Sequence, residues 1–203
     1  MNTNKGKLPY LIGITGPIGS GKDTTAIFIS QVLNAGRYSF AEPVREAVSL
    51  IFDIPVHELT SQEGKALYDD YWGFTHRNLL RLLGDDAMKP VFGDDIWVKR
   101  AELALRKMAE EIVVISDVRF DLEADFIRRS GGFIIHLDRP NNPLAGQMSA
   151  HASDAGITKH IDDMSVMNDD TIASLKFNIL SILSMRHVTR TRLNQPYVVT
   201  SGY

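Results

Sequence analysis

"GPIGSGKDTT", residues 16–25, decides how this chain is read. Gly16 and Gly21 stand five residues apart and Lys22 follows directly. Glycines at this spacing let the backbone turn so that several N–H groups point at one anion. A helix starting at Lys22 adds partial positive charge at its first turn. The next residue is ordinarily a serine or threonine whose hydroxyl touches Mg2+. Here it is Asp23.

The flanks decide whether the loop is a phosphate cradle or a plain glycine-rich connection. Before it, Leu11, Ile12 and Ile14 form a short apolar run that reads as a buried strand ending at Thr15. After it, Ala26, Ile29 and Leu33 fall at helical spacing. Strand, loop and helix in that order are the context in which the motif holds phosphates. Gly16, Gly19, Ser20, Gly21, Lys22, Asp23, Thr24 and Thr25 are therefore the candidate nucleotide-binding residues. Lys22 reaches the terminal phosphates and Thr24 offers them a hydroxyl. Asp23 has two readings. It holds the water shell of Mg2+, an ion that prefers oxygen ligands and keeps its waters, or it complements the helix N-terminus electrostatically.

The rest of the chain alternates in the same way. Residues 37–40 ("RYSF") suggest a second short strand, and Pro43 sits where a helix can begin. Residues 53–76 have no clear period. Leu79, Leu82 and Leu83 predict a helix stopping at Gly84, and Val98, Ala101, Leu105 and Met108 mark another. "IVVIS", residues 112–116, is the strongest buried strand. Asp121 reads as an N-cap, Gly131 and Gly132 as a stop, and "FIIHL", 133–137, as the next strand. Residues 140–165 read as a loop-rich lid carrying His151, Ser153, Asp154, Lys159 and His160. Asp169 or Asp170 caps a helix with Ile172, Leu175, Ile179 and Leu183. The tail 187–203 has no assignment. Alternating strands and helices predict an α/β fold: a parallel sheet with helices on both faces.

Composition bounds the function. With 203 residues the chain suits one domain, able to bury roughly 70% of its unfolded surface. It has no cysteine, which excludes disulfides and thiolate metal sites. A net charge of −3 argues against a nucleic-acid polymer as partner, so phosphate binding must come from local clusters. No apolar run reaches membrane-spanning length, and "MNTNKGKLPY" has no apolar stretch of signal-peptide type. These features predict a cytoplasmic protein.

Phosphoryl transfer is mostly positioning and charge neutralisation, so arginines near strand ends matter. Asp117 follows the 112–116 strand, at the carboxyl edge where ligands bind in open α/β sheets. It either orders Mg2+ or substrate, or pairs with Arg119 to tie down a loop. Arg119 is the candidate phosphate clamp, and Arg139, ending the 133–137 strand, either faces the nucleotide base or the transferring phosphate or caps the strand at the surface. Arg77 and Arg81, four residues apart on one helix face, and Arg45 are further acceptor-side candidates. Trp97 either stacks on substrate or packs in the core, the commoner fate of a tryptophan. His151 and His160 lack compact ligand spacing for a metal.

Taken together, "GPIGSGKDTTAIFI", "FAEPVREA", "HRNLLRLLGDDAMK" with "DDIWV", "VVISDVRFDLEADFIRRSGGFIIHLDRP", "HASDAGI" and "VMNDDTIASL" resemble the phage-type deoxynucleoside monophosphate kinases. The likeness runs from about Leu11 to Leu183. Its sharpest pieces are Gly-Lys-Asp-Thr and "SDVRF". It implies the P-loop kinase fold over residues 1–203, with an acceptor-binding helical region at about 41–100 and a lid at about 140–165. It implies ATP and Mg2+ as cofactors and a deoxynucleoside monophosphate as acceptor. Catalytic roles fall on Lys22, Asp117, Arg119 and Arg139, and acceptor binding on Arg45, Arg77, Trp97, Asp117 and Arg119. A viral source would make the compartment the host cytoplasm, and a homodimer stays open. Two departures touch the acceptor side: His76 stands where proline is usual, and Asp85-Asp86 where Thr-Glu is usual. Two other functions compete. One is a P-loop kinase for a non-nucleotide acceptor, such as dephospho-coenzyme A or phosphomevalonate. The other is a nucleotide-binding module without transferase activity.

Overall fold

The computed structural model describes residues 6–140, 142, 156–186 and 188. Most of the expected lid, including His151, Ser153 and Asp154, and nearly all of the tail lie outside the described residues.

The elements in chain order are β1 (Tyr10–Thr15), α1 (Lys22–Leu33), β2 (Gly36–Tyr38), α2 (Glu42–Phe52), α3 (Gln62–Ala66), β3 (Tyr68–Asp69), β4 (Phe74–Thr75) and α4 (His76–Arg81). A π-helical turn, Leu82–Ala87, leads into α5 (Met88–Phe92) and α6 (Ile96–Leu105). Then come β5 (Ile112–Ile115), α7 (Asp121–Arg129), β6 (Phe133–Asp138), β7 (Met164–Met167) and α8 (Ile172–Met185). Five strands form one parallel sheet in the order β2-β5-β1-β6-β7, and β3 and β4 make a small antiparallel hairpin.

The sheet's alternation builds a core on each face. Ile12 and Ile14 of β1 point to the side of α1 and α8, where they meet Ala26, Ile29, Leu175, Ile179 and Leu183. Leu11 points the other way, toward Val113, Ile115, Ala101, Leu105, Ala124 and Ile127. Because successive side chains of a strand alternate faces, an all-apolar run demands cover on both. A third, smaller core of Val44, Val48, Ile54, Leu59 and Leu79 holds the helical region together, with Trp97 packed against it. The result is a three-layer α/β domain with an appended helical region.

Several local expectations are corrected. The helix through Leu79 does not stop at Gly84. It widens into the π-helical turn and ends at Gly93. Gly84 has a packing role: a Cβ there would sit 3.2 Å from Val44 Cγ1, and its carbonyl accepts the Trp97 Nε1–H at 2.8 Å. Asp121 is the first helical residue of α7 and not its cap. Glu123 instead reaches back, one oxygen accepting from Arg119 N and Phe120 N, as the acidic half of a capping box does. Thr171, not Asp169 or Asp170, caps α8 by accepting from Ser174 N. β2 is shorter than residues 37–40, because Ser39 and Phe40 turn away to meet Asp117. β7 begins at the end of the expected lid and runs past it, and the patternless stretch before α4 holds α3 and the hairpin. Among the described residues no helix is long and apolar enough to cross a membrane.

Candidate active site

The glycine loop lies between β1 and α1, at the carboxyl edge of the central strand. Its shape needs glycine at two points. Gly16 has φ +147° and a Cβ would lie 2.3 Å from Leu137 O. Gly21 has φ +101° and a Cβ would lie 2.8 Å from Asn168 Nδ2. Both the left-handed backbone and the close neighbours exclude a side chain.

The loop's carbonyls are taken one after another by donors around it. Lys22 Nζ donates to Gly16 O (2.7 Å) and Pro17 O (2.8 Å). Asn142 Nδ2 donates to Ile18 O, Arg139 Nη1 to Gly19 O at 3.0 Å, and Asn168 Nδ2 to Ser20 O at 2.9 Å. Asn168 is itself fixed by donating its N–H to Asp138 O at the end of β6. Carbonyls engaged in this way keep their negative ends from an anion in the loop, while the first turn of α1 brings its positive end to it. Ser20 Oγ and Thr25 Oγ1 are buried with no hydrogen-bond partner among the described residues. Asp23 and Thr24 are exposed at the start of α1. The loop thus fits a chain of phosphates: a cradle kept open by glycines, an ammonium at its mouth, and unpaired hydroxyls.

The second half of the site is built from β2, β5 and the helical region. Asp117, just past β5, accepts from Ser39 Oγ (2.6 Å), Phe40 N (2.9 Å) and Ala41 N (3.0 Å). Its carboxylate ties the end of β5 to the start of α2, and Arg45 Nη2 joins by donating to Ser39 Oγ at 2.9 Å. No ion pair forms between Asp117 and Arg119 among the described residues, so the loop-tying partner of Asp117 is the 39–41 backbone. Arg119 is exposed, on a backbone fixed by Glu123. Burial, with the Asp117 charge adding, pushes the Glu123 carboxyl up to about 7 against the pull of its two backbone donors.

Arg77 and Arg81 part company. Arg81 pairs with Asp86 at 2.8 Å, whereas Arg77 donates to the neutral Gln62 amide at 3.0 Å and pairs with no carboxylate among the described residues. The unusual Asp85-Asp86 pair is thereby explained locally, since Asp85 holds Lys89 at 2.7 Å. His76 is buried at the start of α4, 3.6 Å from Glu58. Trp97 is half-buried with its N–H on Gly84 O, a packing position.

One residue escaped the reading of the sequence. Lys65 of α3 is half-buried, and no described carboxylate pairs with it. Burial pushes its ammonium down to about 8; Arg45, Arg119 and Arg77 push in the same direction, and Asp23 opposes. No described carboxylate forms an ion pair with Arg45, Arg77 or Arg119 either. A lone lysine in a patternless stretch carries no signal of its burial.

The downstream end of the expected lid is anchored on α7 and β6. Asp121 accepts from Thr158 N and Oγ1, and Arg128 and His136 both hold Asp163. His160 is exposed beside Asp162, and Lys159 is exposed too. Among the described residues no group of three His, Cys, Asp or Glu converges to hold a metal.

A parallel sheet with a glycine loop at the edge of its central strand defines a P-loop kinase fold, and solved structures agree. A gluconokinase from Sinorhizobium meliloti 1021 superposes with a TM-score of 0.51 at 14% identity, covering 93% of this chain and 99% of that one. TT1252 from Thermus thermophilus gives 0.52 at 16% identity, over 88% and 98%. Sequence comparison is narrower. The family model for deoxynucleotide monophosphate kinase matches residues 53–179. A putative deoxynucleotide monophosphate kinase of Acanthamoeba polyphaga mimivirus is 33% identical, over 84% of this chain and 94% of its own length. The deoxynucleoside-5'-monophosphate kinase of Escherichia phage T5 is 24% identical, over 88% and 97%. The chain belongs to the deoxynucleotide monophosphate kinase family.

Proposed function

We propose that this chain transfers the γ-phosphoryl group of ATP to the phosphate of a deoxynucleoside 5'-monophosphate, yielding the diphosphate and ADP. The observation that carries it is a preformed phosphate loop in a chain whose Arg45, Arg77 and Arg119 have no carboxylate partner among the described residues. Like charges without a counter-charge cost energy, and they are rational only where an anionic substrate neutralises them.

Each residue has a task in positioning or charge neutralisation. The loop from Gly16 to Thr25 grips the donor's phosphates, and Lys22 leaves the Gly16 and Pro17 carbonyls to meet them. Arg139, already on the Gly19 carbonyl, lies on the donor side. Arg119, Arg77 and Arg45 hold the acceptor's phosphate and the charge that develops between the two. Asp117 keeps the 39–41 turn, and through Ser39 the Arg45 guanidinium, in register. Mg2+ bound with ATP would neutralise phosphate charge. With no protein cage among the described residues, its ligands would be phosphates and waters, Asp23 touching it through water. Unchanged activity and unchanged Mg2+ dependence in Asp23→Asn would sink that role.

A panel of acceptors with ATP tests the reaction. Deoxynucleoside monophosphates should be phosphorylated. Transfer confined to dephospho-coenzyme A or phosphomevalonate would overturn the assignment, and ATP binding without transfer to any acceptor would favour a binding module. The arginine set on the 77–139 stretch argues against the latter, which needs no acceptor site.

A further inference from the structure

We propose that Asn168 is a positioning residue for the phosphate donor: its side chain holds the Ser20 carbonyl and so aims the Gly21 N–H at the phosphates in the glycine loop. This rests on the kinase reading above only for the identity of the donor.

Asn168 Nδ2 donates to Ser20 O at 2.9 Å, and Ser20 is fully buried. The Ser20–Gly21 peptide is trans. In a planar trans peptide the C=O and the following N–H point in opposite directions. A carbonyl held toward Asn168 therefore turns the Gly21 N–H away from it, and no described residue accepts that N–H. It is left to the anion that the first turn of α1 attracts. The close approach depends on glycine from the other side too. A Cβ on Gly21 would lie 2.8 Å from Asn168 Nδ2, so a side chain there would displace the amide.

Asn168 is itself held. Its backbone N–H donates to Asp138 O at 2.7 Å, one step beyond the pairing of Asp138 with Met167. Three residues on, Thr171 caps α8 by accepting from Ser174 N. The side chain, half-buried, thus projects from a backbone fixed by the sheet before it and followed by a capped helix. Its chemistry suits a brace. Lys22 and Arg139 also hold loop carbonyls, but as cations they are drawn to a phosphate. A neutral amide has no such pull, so Asn168 stays on Ser20 O when the donor enters. The loop keeps the shape in which it meets phosphates, and the end of β7 gains a task in donor binding.

The test separates grip on the phosphates from contact with the rest of the nucleotide. Asn168→Leu keeps the branched shape and removes the donor. Its affinity for ATP and for inorganic tripolyphosphate, measured by calorimetry, should fall by a similar factor of about ten, the worth of one hydrogen bond to a charged group. KM for the acceptor used fastest among dAMP, dCMP, dGMP and dTMP should stay within about twofold, the usual scatter between sites that share no partner. A merely structural role would move both sides of the site together. Unchanged affinity for tripolyphosphate would overturn the proposal. A loss confined to ATP would do so too, because Asn168 would then touch the nucleoside instead of shaping the loop. A second measurement needs no variant, and it decides the matter if Asn168→Leu fails to fold. In the amide NMR spectrum of the unmodified protein, the Gly21 N–H resonance should move downfield as tripolyphosphate is added. A resonance that stays in place overturns the proposal. Absence of turnover with every monophosphate would instead count against the reaction itself, and the tripolyphosphate titrations would still decide Asn168.

Discussion

At the scale of single residues, charge without a partner is the guide. Lys22 rests on two loop carbonyls, bonds that a phosphate replaces with stronger, charge-assisted ones. Lys22→Ala should therefore lower kcat by about a hundredfold or more, the usual size for losing one electrostatic stabiliser of a transition state. Circular dichroism and the melting temperature should stay near those of the unmodified protein. Near-normal turnover would remove the loop from the chemistry. Arg119→Ala should impair acceptor KM or kcat more than ATP binding, because Arg119 follows β5 two residues after Asp117, which ties that strand end to the start of α2. A change in ATP affinity alone would move it to the donor side. Asp23 was legible as the residue that set this loop apart from the common pattern. The half-burial of Lys65 was not, because a lone lysine in a patternless stretch carries no signal of burial.

At the scale of elements, pattern and packing divide the credit. The β1–loop–α1 unit could be read directly, since an apolar run, fixed glycine spacing and a helical stripe all agree there. The end of α4 could not. Gly84 carries the signal of a helix stop, yet it is buried within the widened turn, where its lack of a side chain admits Val44. The Trp97 N–H fastens that turn, so Trp97→Phe should cost about 1 kcal/mol of stability in denaturant unfolding, the net worth of one hydrogen bond. At the start of α7, Glu123 is a carboxyl whose folded pKa lies above its ordinary 4.5, at about 7. Such a group contributes stability below the lower value and loses it as pH rises through the upper one. One of its oxygens takes both backbone donors, and a glutamine oxygen can do the same. Glu123→Gln should thus raise the melting temperature by about 2–5 °C at pH 8, and leave it nearly unchanged at pH 5. A loss of stability at pH 8 would mean that the ionised carboxylate is favoured in the fold.

At the scale of the whole molecule, the parallel sheet with cover on both faces followed from the alternation of apolar runs and helical stripes. The family resemblance supplied what periodicity could not: the reaction class. β7 stayed hidden because "MSVM" is short and mixed, and it gains its strand identity by pairing with β6. Strand ends and loops converge on one edge of the sheet, where the glycine loop follows β1 and Asp117 follows β5. That convergence makes the chain an enzyme for joining two phosphates. The most direct test is a coupled assay of ADP formation from ATP with dAMP, dCMP, dGMP and dTMP and their ribose counterparts. At least one deoxynucleoside monophosphate should be converted to its diphosphate, with ADP released in equal amount. No ADP above background with any of these acceptors would contradict the account.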